Sequence, residues 1–304
     1  GSHLCDKLIE LENQVICIDN LLTGNPDNIA HLQESPNFEF VEADAIDSLP
    51  QDLDFDELYH LASPASPNKN NPTSYMALPF ETMQVNSMGT WNLCSEALSR
   101  NAKFLFASTS EVYGDPLIHP QKEDYRGNVS TTGPRAVYDE SKRFGETIVS
   151  AYVRQSKLDA RIIRIFNTYG PRMAQDGRVV IEFISAALKN KPFPVFGNGT
   201  QIRSFMFVSD LVDGIIAAME KGASGEIYNL GNPNEFTILQ LADTIKKLTG
   251  ATSEVSLVKQ LPIDDPLKRC PDITKARQYL GWEPKIQLEE GLNKLIVYLK
   301  TFQT

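Results

Sequence analysis

Over the first half of the chain, short apolar runs bounded by turn residues alternate with amphipathic stretches, the pattern of βαβ units on a parallel sheet. Residues 4–11 place Leu4, Leu8 and Leu11 on one face of a predicted helix. Residues 14–18 predict a buried strand closing at Asp19, and residues 38–41 another that runs on to Asp44. A strand over 57–62 enters a Ser-, Pro- and Asn-rich loop at 63–72. A helix over 80–100, a strand over 103–107, a helix over 138–156 and a strand over 160–165 continue the alternation. Beyond Gly170–Pro171 the rhythm breaks at Pro192, Pro194 and several glycines, and a helix over 238–248 stands outside any βαβ repeat. The pattern predicts an α/β protein: a Rossmann-like, doubly wound parallel sheet with a smaller α/β lobe. Residues 205–229 return to the first sheet.

Composition narrows the function classes without choosing one. A hydrophobic share of 41% and a charged share of 22% are ordinary for a globular protein. No stretch approaches the roughly 18 consecutive apolar residues of a membrane span. A net charge of −10 opposes wrapping a nucleic acid. An anionic small molecule is a different case, needing only a well-placed arginine. Cys5, Cys17, Cys94 and Cys270 lack metal-ligand or redox spacing and read as reduced, structural thiols; no metal is expected.

Candidate chemistry gathers where strands end, since doubly wound sheets bind ligands at their carboxyl edge. Asp19 can accept hydrogen bonds from an adenosine ribose, and its charge disfavours a 2′-phosphate. It serves equally as a turn aspartate ahead of Thr23–Gly24–Asn25–Pro26. Asp44 ends the next strand in the same way and tilts the pair toward a cofactor. In Tyr138–Asp139–Glu140–Ser141–Lys142 a phenol and an ammonium share one helix face. A free tyrosine, with a pKa of about 10, is a poor base, but nearby positive charge favours its phenolate. The pair alone is a weak signal. Upstream, Ser108–Thr109–Ser110–Glu111 closes a strand with hydroxyls and a carboxylate, either to share a substrate hydroxyl with Tyr138 or simply as a polar turn.

Many further blocks occur in order. They include His60–Leu61–Ala62–Ser63–Pro64–Ala65–Ser66–Pro67, Gly133–Pro134–Arg135 ahead of Tyr138, and Arg164–Ile165–Phe166–Asn167–Thr168–Tyr169–Gly170–Pro171–Arg172. Asp176–Gly177–Arg178–Val179–Val180, Gln201–Ile202–Arg203–Ser204–Phe205, Asn229–Leu230–Gly231–Asn232–Pro233 and Lys268–Arg269–Cys270–Pro271–Asp272 follow. Nearly end to end, the chain resembles the extended short-chain dehydrogenases/reductases acting on nucleotide sugars, the NAD-dependent epimerase/dehydratase family. Within it, the chain is most similar to the UDP-glucuronate decarboxylases (UDP-xylose synthases).

The resemblance implies NAD as cofactor and a UDP-sugar as substrate. The NAD-binding domain would comprise residues 1–170 and 205–231, and the nucleotide-sugar lobe residues 171–204 and 232–304. It implies Tyr138 as acid/base at the sugar C4 and Lys142 as the residue that lowers its pKa and holds the nicotinamide ribose. Thr109 would share the C4 hydroxyl, with Ser110 and Glu111 facing C5 and C6. Arg269 would approach the sugar carboxylate, a surface arginine being the plain alternative. Arg203 would pair with the diphosphate, and Phe196 would pack on the uracil or anchor a turn. Asn167 and Arg178 would contact substrate or cofactor. Cofactor contacts would include Asp19, Asn20, Thr23, Gly24, Asp44, Ala45, Leu61 and Ser63. Sugar 4,6-dehydratases carry an aspartic acid where this chain has Ser110; that acid protonates a departing C6 hydroxyl, which serine does not do readily. A 4,6-dehydratase, a UDP-glucuronate 4-epimerase and a non-catalytic nucleotide-sugar-binding paralogue are the rival readings.

The family opens with a strand and a glycine-rich diphosphate loop, and Gly1–Ser2–His3–Leu4 matches it just after that loop. The expectation is that restoring strand and loop raises NAD affinity at least about tenfold in a titration. The resemblance also implies a homodimer through helices 80–100 and 138–156 and a cytoplasmic setting, with a membrane anchor upstream in some relatives.

Overall fold

In the computed structural model, which describes residues 1–258 and 266–302, helix α1 (Ser2–Glu10) leads into β1 (Val15–Asp19), β2 (Phe38–Glu42) and β3 (Glu57–His60). Next come α2 (Pro79–Gln84), a π turn (Val85–Gly89), α3 (Thr90–Ser99), β4 (Lys103–Thr109), α4 (Ala136–Ser156) and β5 (Ala160–Ile165). Then β6 (Thr168–Tyr169), α5 (Val179–Leu188), β7 (Phe193–Phe196), β8 (Ile202–Ser204), β9 (Met206–Phe207), α6 (Val208–Lys221) and β10 (Ile227–Leu230). The described remainder holds β11 (Glu235–Thr237), α7 (Ile238–Thr249), β12 (Val255–Val258), β13 (Lys268–Arg269) and α8 (Leu288–Phe302).

Strands β3, β4, β5 and β10 form one parallel ladder in the order β10–β5–β4–β3, and β1 and β2 pair in parallel as a separate ladder. Alternation along the strands builds two cores. Leu105, Ala107 and Ile163 face α6 and Leu4 of α1, whereas Phe104, Phe106 and Ile162 face α3 and α4. Doubly wound packing therefore follows from apolar side chains on both strand faces. A third core joins Ile181, Phe183 and Ile184 of α5, Phe193 and Val195 of β7, Leu241 and Ile245 of α7, and Leu292 and Leu295 of α8.

Three expectations change. Leu11 is 49% exposed, because α1 ends at Glu10 and the chain turns away through Glu12 at φ 63°. The helix predicted over 80–100 is interrupted by the π turn, which buries Asn86 completely and brings Gly89 beneath Ala45. Of residues 205–229, β9 pairs with β6 in a small ladder of its own, and only the strand from Ile227 joins the main sheet.

Candidate active site

The carboxyl ends of β1 to β4 deliver the polar side chains. At β1, Asp19 Oδ1 accepts from Leu21 N at 2.8 Å, so one carboxylate oxygen makes the turn foreseen for it. Asn20 Nδ2 donates to Asp44 Oδ2 at 2.7 Å, joining the ends of β1 and β2. Gly24 closes this corner: a Cβ there would stand 3.0 Å from Asp19 Oδ1 and fill the concavity. Thr23 is exposed and Ala45 half-buried. The corner suits the two hydroxyls of a dinucleotide ribose, with no added bulk in the way.

Beyond β3, Leu61 and Ser63 are half-buried. Asn86 Nδ2 donates to Ser63 Oγ at 3.1 Å and to Ser141 Oγ at 3.0 Å, tying this loop to α4. Gly145 lets α4 and the π turn approach, since a Cβ there would lie 2.9 Å from Asn86 O.

Tyr138 and Lys142 meet on one face of α4, with Lys142 Nζ 6.0 Å from the Tyr138 ring centre. The Thr109 side chain is close enough to the Tyr138 hydroxyl to favour its ionised form. Tyr75 stacks on the Tyr138 ring at 4.9 Å and 7°. Burial, then the negative charge of Glu111, push the Tyr138 phenol above its ordinary pKa; Thr109 and Arg178 pull it back. Lys142 Nζ donates to Ala107 O at 2.8 Å, and burial lowers its pKa to about 7 against the opposing charge of Glu146. The lysine expected to lower the tyrosine pKa is thus itself shifted, because it lies in the same apolar layer.

This shift has a stability consequence of definite sign. The folded-state pKa of Lys142 lies below its unfolded value, so the unfolded chain binds more protons between them. Its contribution is present above about 10.5 and is lost as pH falls through about 7. Relative to Lys142→Met, the protein is expected to gain stability with rising pH in that window, by up to about 1.4 kcal/mol per pH unit. Urea unfolding at stepped pH measures it, and parallel curves for the two proteins would contradict it.

Glu111 stands between two arginines. Arg269 Nη1 and Nη2 meet its two oxygens at 2.6 and 2.9 Å, and Arg135 pairs with Oε2. Burial alone would raise the Glu111 pKa; the charges of Arg135 and Arg269 outweigh it and hold the carboxyl well below the usual range. Arg269 Nε is buried without a hydrogen-bond partner among the described residues. Ser110 is buried at the start of the turn that carries Glu111.

Arg203 lies beside Arg269 in the register of β8 and β13, with Nη1 donating to Ile202 O at 3.0 Å. Arg178 pairs with Asp176 at 2.9 Å. Half-buried Asn167 follows β5, and Phe196 ends β7 at 45% exposure. The structure therefore joins Thr109, Glu111, Tyr138, Lys142 and Arg269 in one buried cluster, with Arg203 alongside. Asp19, Asn20, Thr23, Gly24, Asp44 and Ala45 form a separate corner.

Arg135 and Tyr75 were not singled out from sequence. Arg135 sits three residues before Tyr138 in Gly133–Pro134–Arg135, a signal that could have found it. Tyr75 lies just past an irregular loop, and no periodicity marks it.

Residues 1–231 match the "NAD dependent epimerase/dehydratase family". The chain is 48% identical over 297 residues to "UDP-glucuronic acid decarboxylase 1" of Arabidopsis thaliana, covering 97% of this chain and 66% of that protein. Its fold is similar to the UDP-glucose 4-epimerase of Thermotoga maritima solved with UDP-glucose, at TM-score 0.89 and 30% identity over 100% and 96% of the two chains. It is also similar to the UDP-glucuronic acid 4-epimerase of Bacillus cereus solved with UDP-glucuronic acid and NAD, at TM-score 0.87 and 29% identity over 99% and 96%.

Proposed function

The chain belongs to the NAD dependent epimerase/dehydratase family, and from that premise we propose that it converts UDP-glucuronate to UDP-xylose and CO₂ with a tightly held NAD. Bound NAD supplies the hydride exchange at the sugar C4 that side chains cannot. The corner of Asp19, Asn20, Gly24 and Asp44 would hold its adenosine ribose, with Ser63 and Lys142 toward the nicotinamide end and Arg178 at its margin.

Tyr138 takes the proton of the C4 hydroxyl, which Thr109 holds against it, and later returns it. Oxidation at C4 makes the sugar a β-keto acid. The C5–C6 bond then breaks as CO₂ leaves, with its electron pair drawn into the C4 carbonyl; C5 takes up a proton, and C4 regains the hydride it gave up together with the proton from Tyr138. Arg269 orients the C6 carboxylate and Glu111 lies beside it; Arg203 serves the diphosphate, and Asn167 and Phe196 the rest of the nucleotide sugar. The observation that carries the reading is that Arg269, held through both Nη atoms by Glu111, keeps a buried Nε without a hydrogen-bond partner among the described residues, in the cluster that also contains Tyr138 and Thr109. Ser110 favours decarboxylation over 4,6-dehydration, for lack of an acid to protonate a leaving hydroxyl.

Under this reading residues 1–170 and 205–231 hold NAD, and residues 171–204 and 232–304 hold the nucleotide sugar. Residues 259–265 and 303–304 of the latter lie outside the described residues. A homodimer is part of the proposal, supported by Phe80, Met88, Trp91 and Phe144, 53–70% exposed on or between α2, α3 and α4. No helix among the described residues is long and apolar enough to cross a membrane. Four free thiols support a reducing, cytoplasmic compartment.

Incubation with UDP-glucuronate, with and without added NAD, is expected to yield UDP-xylose and CO₂ in equal amounts. UDP-galacturonate without CO₂ would replace this reading with 4-epimerisation. Consumption of dTDP-glucose but not UDP-glucuronate would make the protein a 4,6-dehydratase. Binding without turnover would make it a nucleotide-sugar-binding paralogue.

A further inference from the structure

Strand β13, which carries Arg269, is two residues long and pairs with β8 alone among the described strands. The chain just beyond Arg269 is fixed by Gln121, a 0%-exposed residue between β4 and α4. Gln121 N–H donates to Cys270 O at 2.9 Å, and Gln121 O accepts from Asp272 N at 2.8 Å. The side chain completes the set: Cys270 N–H donates to Gln121 Oε1 at 2.8 Å, and Gln121 Nε2 donates to Ile118 O at 2.9 Å. Both main-chain polar groups of the residue after Arg269 therefore end on Gln121.

A buried primary amide is suited to this place. It offers an acceptor to Cys270 and a donor to Ile118 at once, and at full burial water cannot substitute for either. The same residue also reaches the catalytic helix. Asn229 Nδ2 donates to Gln121 O at 3.0 Å, and Asn229 Oδ1 accepts from Tyr113 OH at 2.7 Å. Tyr113 OH accepts from Arg164, whose other nitrogens hold Glu146 of α4.

We propose that Gln121 is a positioning residue for Arg269: without touching substrate, it sets the guanidinium where a C6 carboxylate is recognised, and so determines preference for the acid over the neutral sugar. This deepens the decarboxylase reading and rests on it. Displacing a guanidinium by even about 1 Å weakens a charge-assisted contact to a carboxylate while leaving contacts to the uridine diphosphate in place.

The test is calorimetric titration of the NAD-loaded protein with UDP-glucuronate and with UDP-glucose, in a Tyr138→Phe background so that substrate is not consumed. The parent is expected to prefer UDP-glucuronate at least about tenfold. Gln121→Met, similar in volume but without the amide, is expected to cut that preference to within about threefold while leaving UDP-glucose affinity within about twofold. Gln121→Glu, which burial keeps protonated and which then offers both an acceptor for Cys270 N–H and a donor for Ile118 O, is expected to retain most of it. If Gln121→Met does not fold, Gln121→Asn, one methylene shorter, carries the same comparison. An intact preference in Gln121→Met, or in Gln121→Asn where that stands in for it, equal weakening of both ligands, or equal loss in Gln121→Glu overturns the proposal alone. A parent with no preference for the acid overturns the substrate reading and the proposal with it.

Discussion

Tyr138→Phe is expected to cut turnover of UDP-glucuronate by at least about 10³-fold while UDP binds nearly as before. The substitution removes one oxygen and keeps the ring that stacks on Tyr75, so the packing of α4 survives. What disappears is the atom that exchanges the C4 proton. Burial and Glu111 hold this phenol above its ordinary pKa in the protein alone, whereas Thr109 and Arg178 act in the opposite sense. Desolvation against fixed partners makes the group sensitive to positive charge brought to it, since in a dry site each charge acts more strongly than in water. Product quantification together with UDP titration measures both halves of the expectation. Equal activity in variant and parent would remove Tyr138 from the role of base.

Arg164→Leu is expected to destabilise the fold by about 3–5 kcal/mol, the largest stability loss foreseen here. Arg164 Nε and Nη2 reach the two oxygens of Glu146 at 2.9 and 2.7 Å, with the side chains only 9% and 11% exposed. Ser108 Oγ adds a third donor at 2.5 Å. Removing the guanidinium strands a carboxylate in the interior, and the cost of that uncompensated charge exceeds the value of the pair itself. A double variant with Glu146→Gln and Arg164→Leu should therefore lose less than the sum of the two single losses, which a urea-unfolding cycle measures. A loss below about 1 kcal/mol for Arg164→Leu would show that water reaches Glu146. Activity is expected to fall as well, because Ser108 precedes Thr109 on β4 and Glu146 follows Lys142 by one turn of α4. The ion pair thus holds strand and helix in the register at which hydroxyl and phenol meet.

Much of the fold was legible because it depends on local periodicity. The strands from Val15, Phe38, Glu57, Lys103 and Ala160 and helix α4 lie within a few residues of where apolar runs and helical spacing put them. Boundaries moved where a tertiary contact prevailed, as at the π turn, where buried Asn86 bonds Ser63 and Ser141 from distant segments. Of the candidate site, Tyr138 and Lys142 could be paired from their spacing and Thr109 and Glu111 located at a strand end. That Glu111 is gripped by Arg135 and Arg269 depends on segments 24 and 158 residues away, and nothing local encodes such a contact.

The sequence by itself determined the alternating α/β architecture, the strand ends where polar groups collect, and the shared face of Tyr138 and Lys142, because each depends on spacing along one element. The tertiary structure alone decided how those groups are charged and what they touch. Burial moves the phenol and the ammonium from their ordinary pKa values, and segments far apart in the chain supply the arginines around Glu111 and the amide that fixes Arg269. Desolvation and contact depend on what surrounds a side chain in three dimensions, and only the folded chain provides those surroundings.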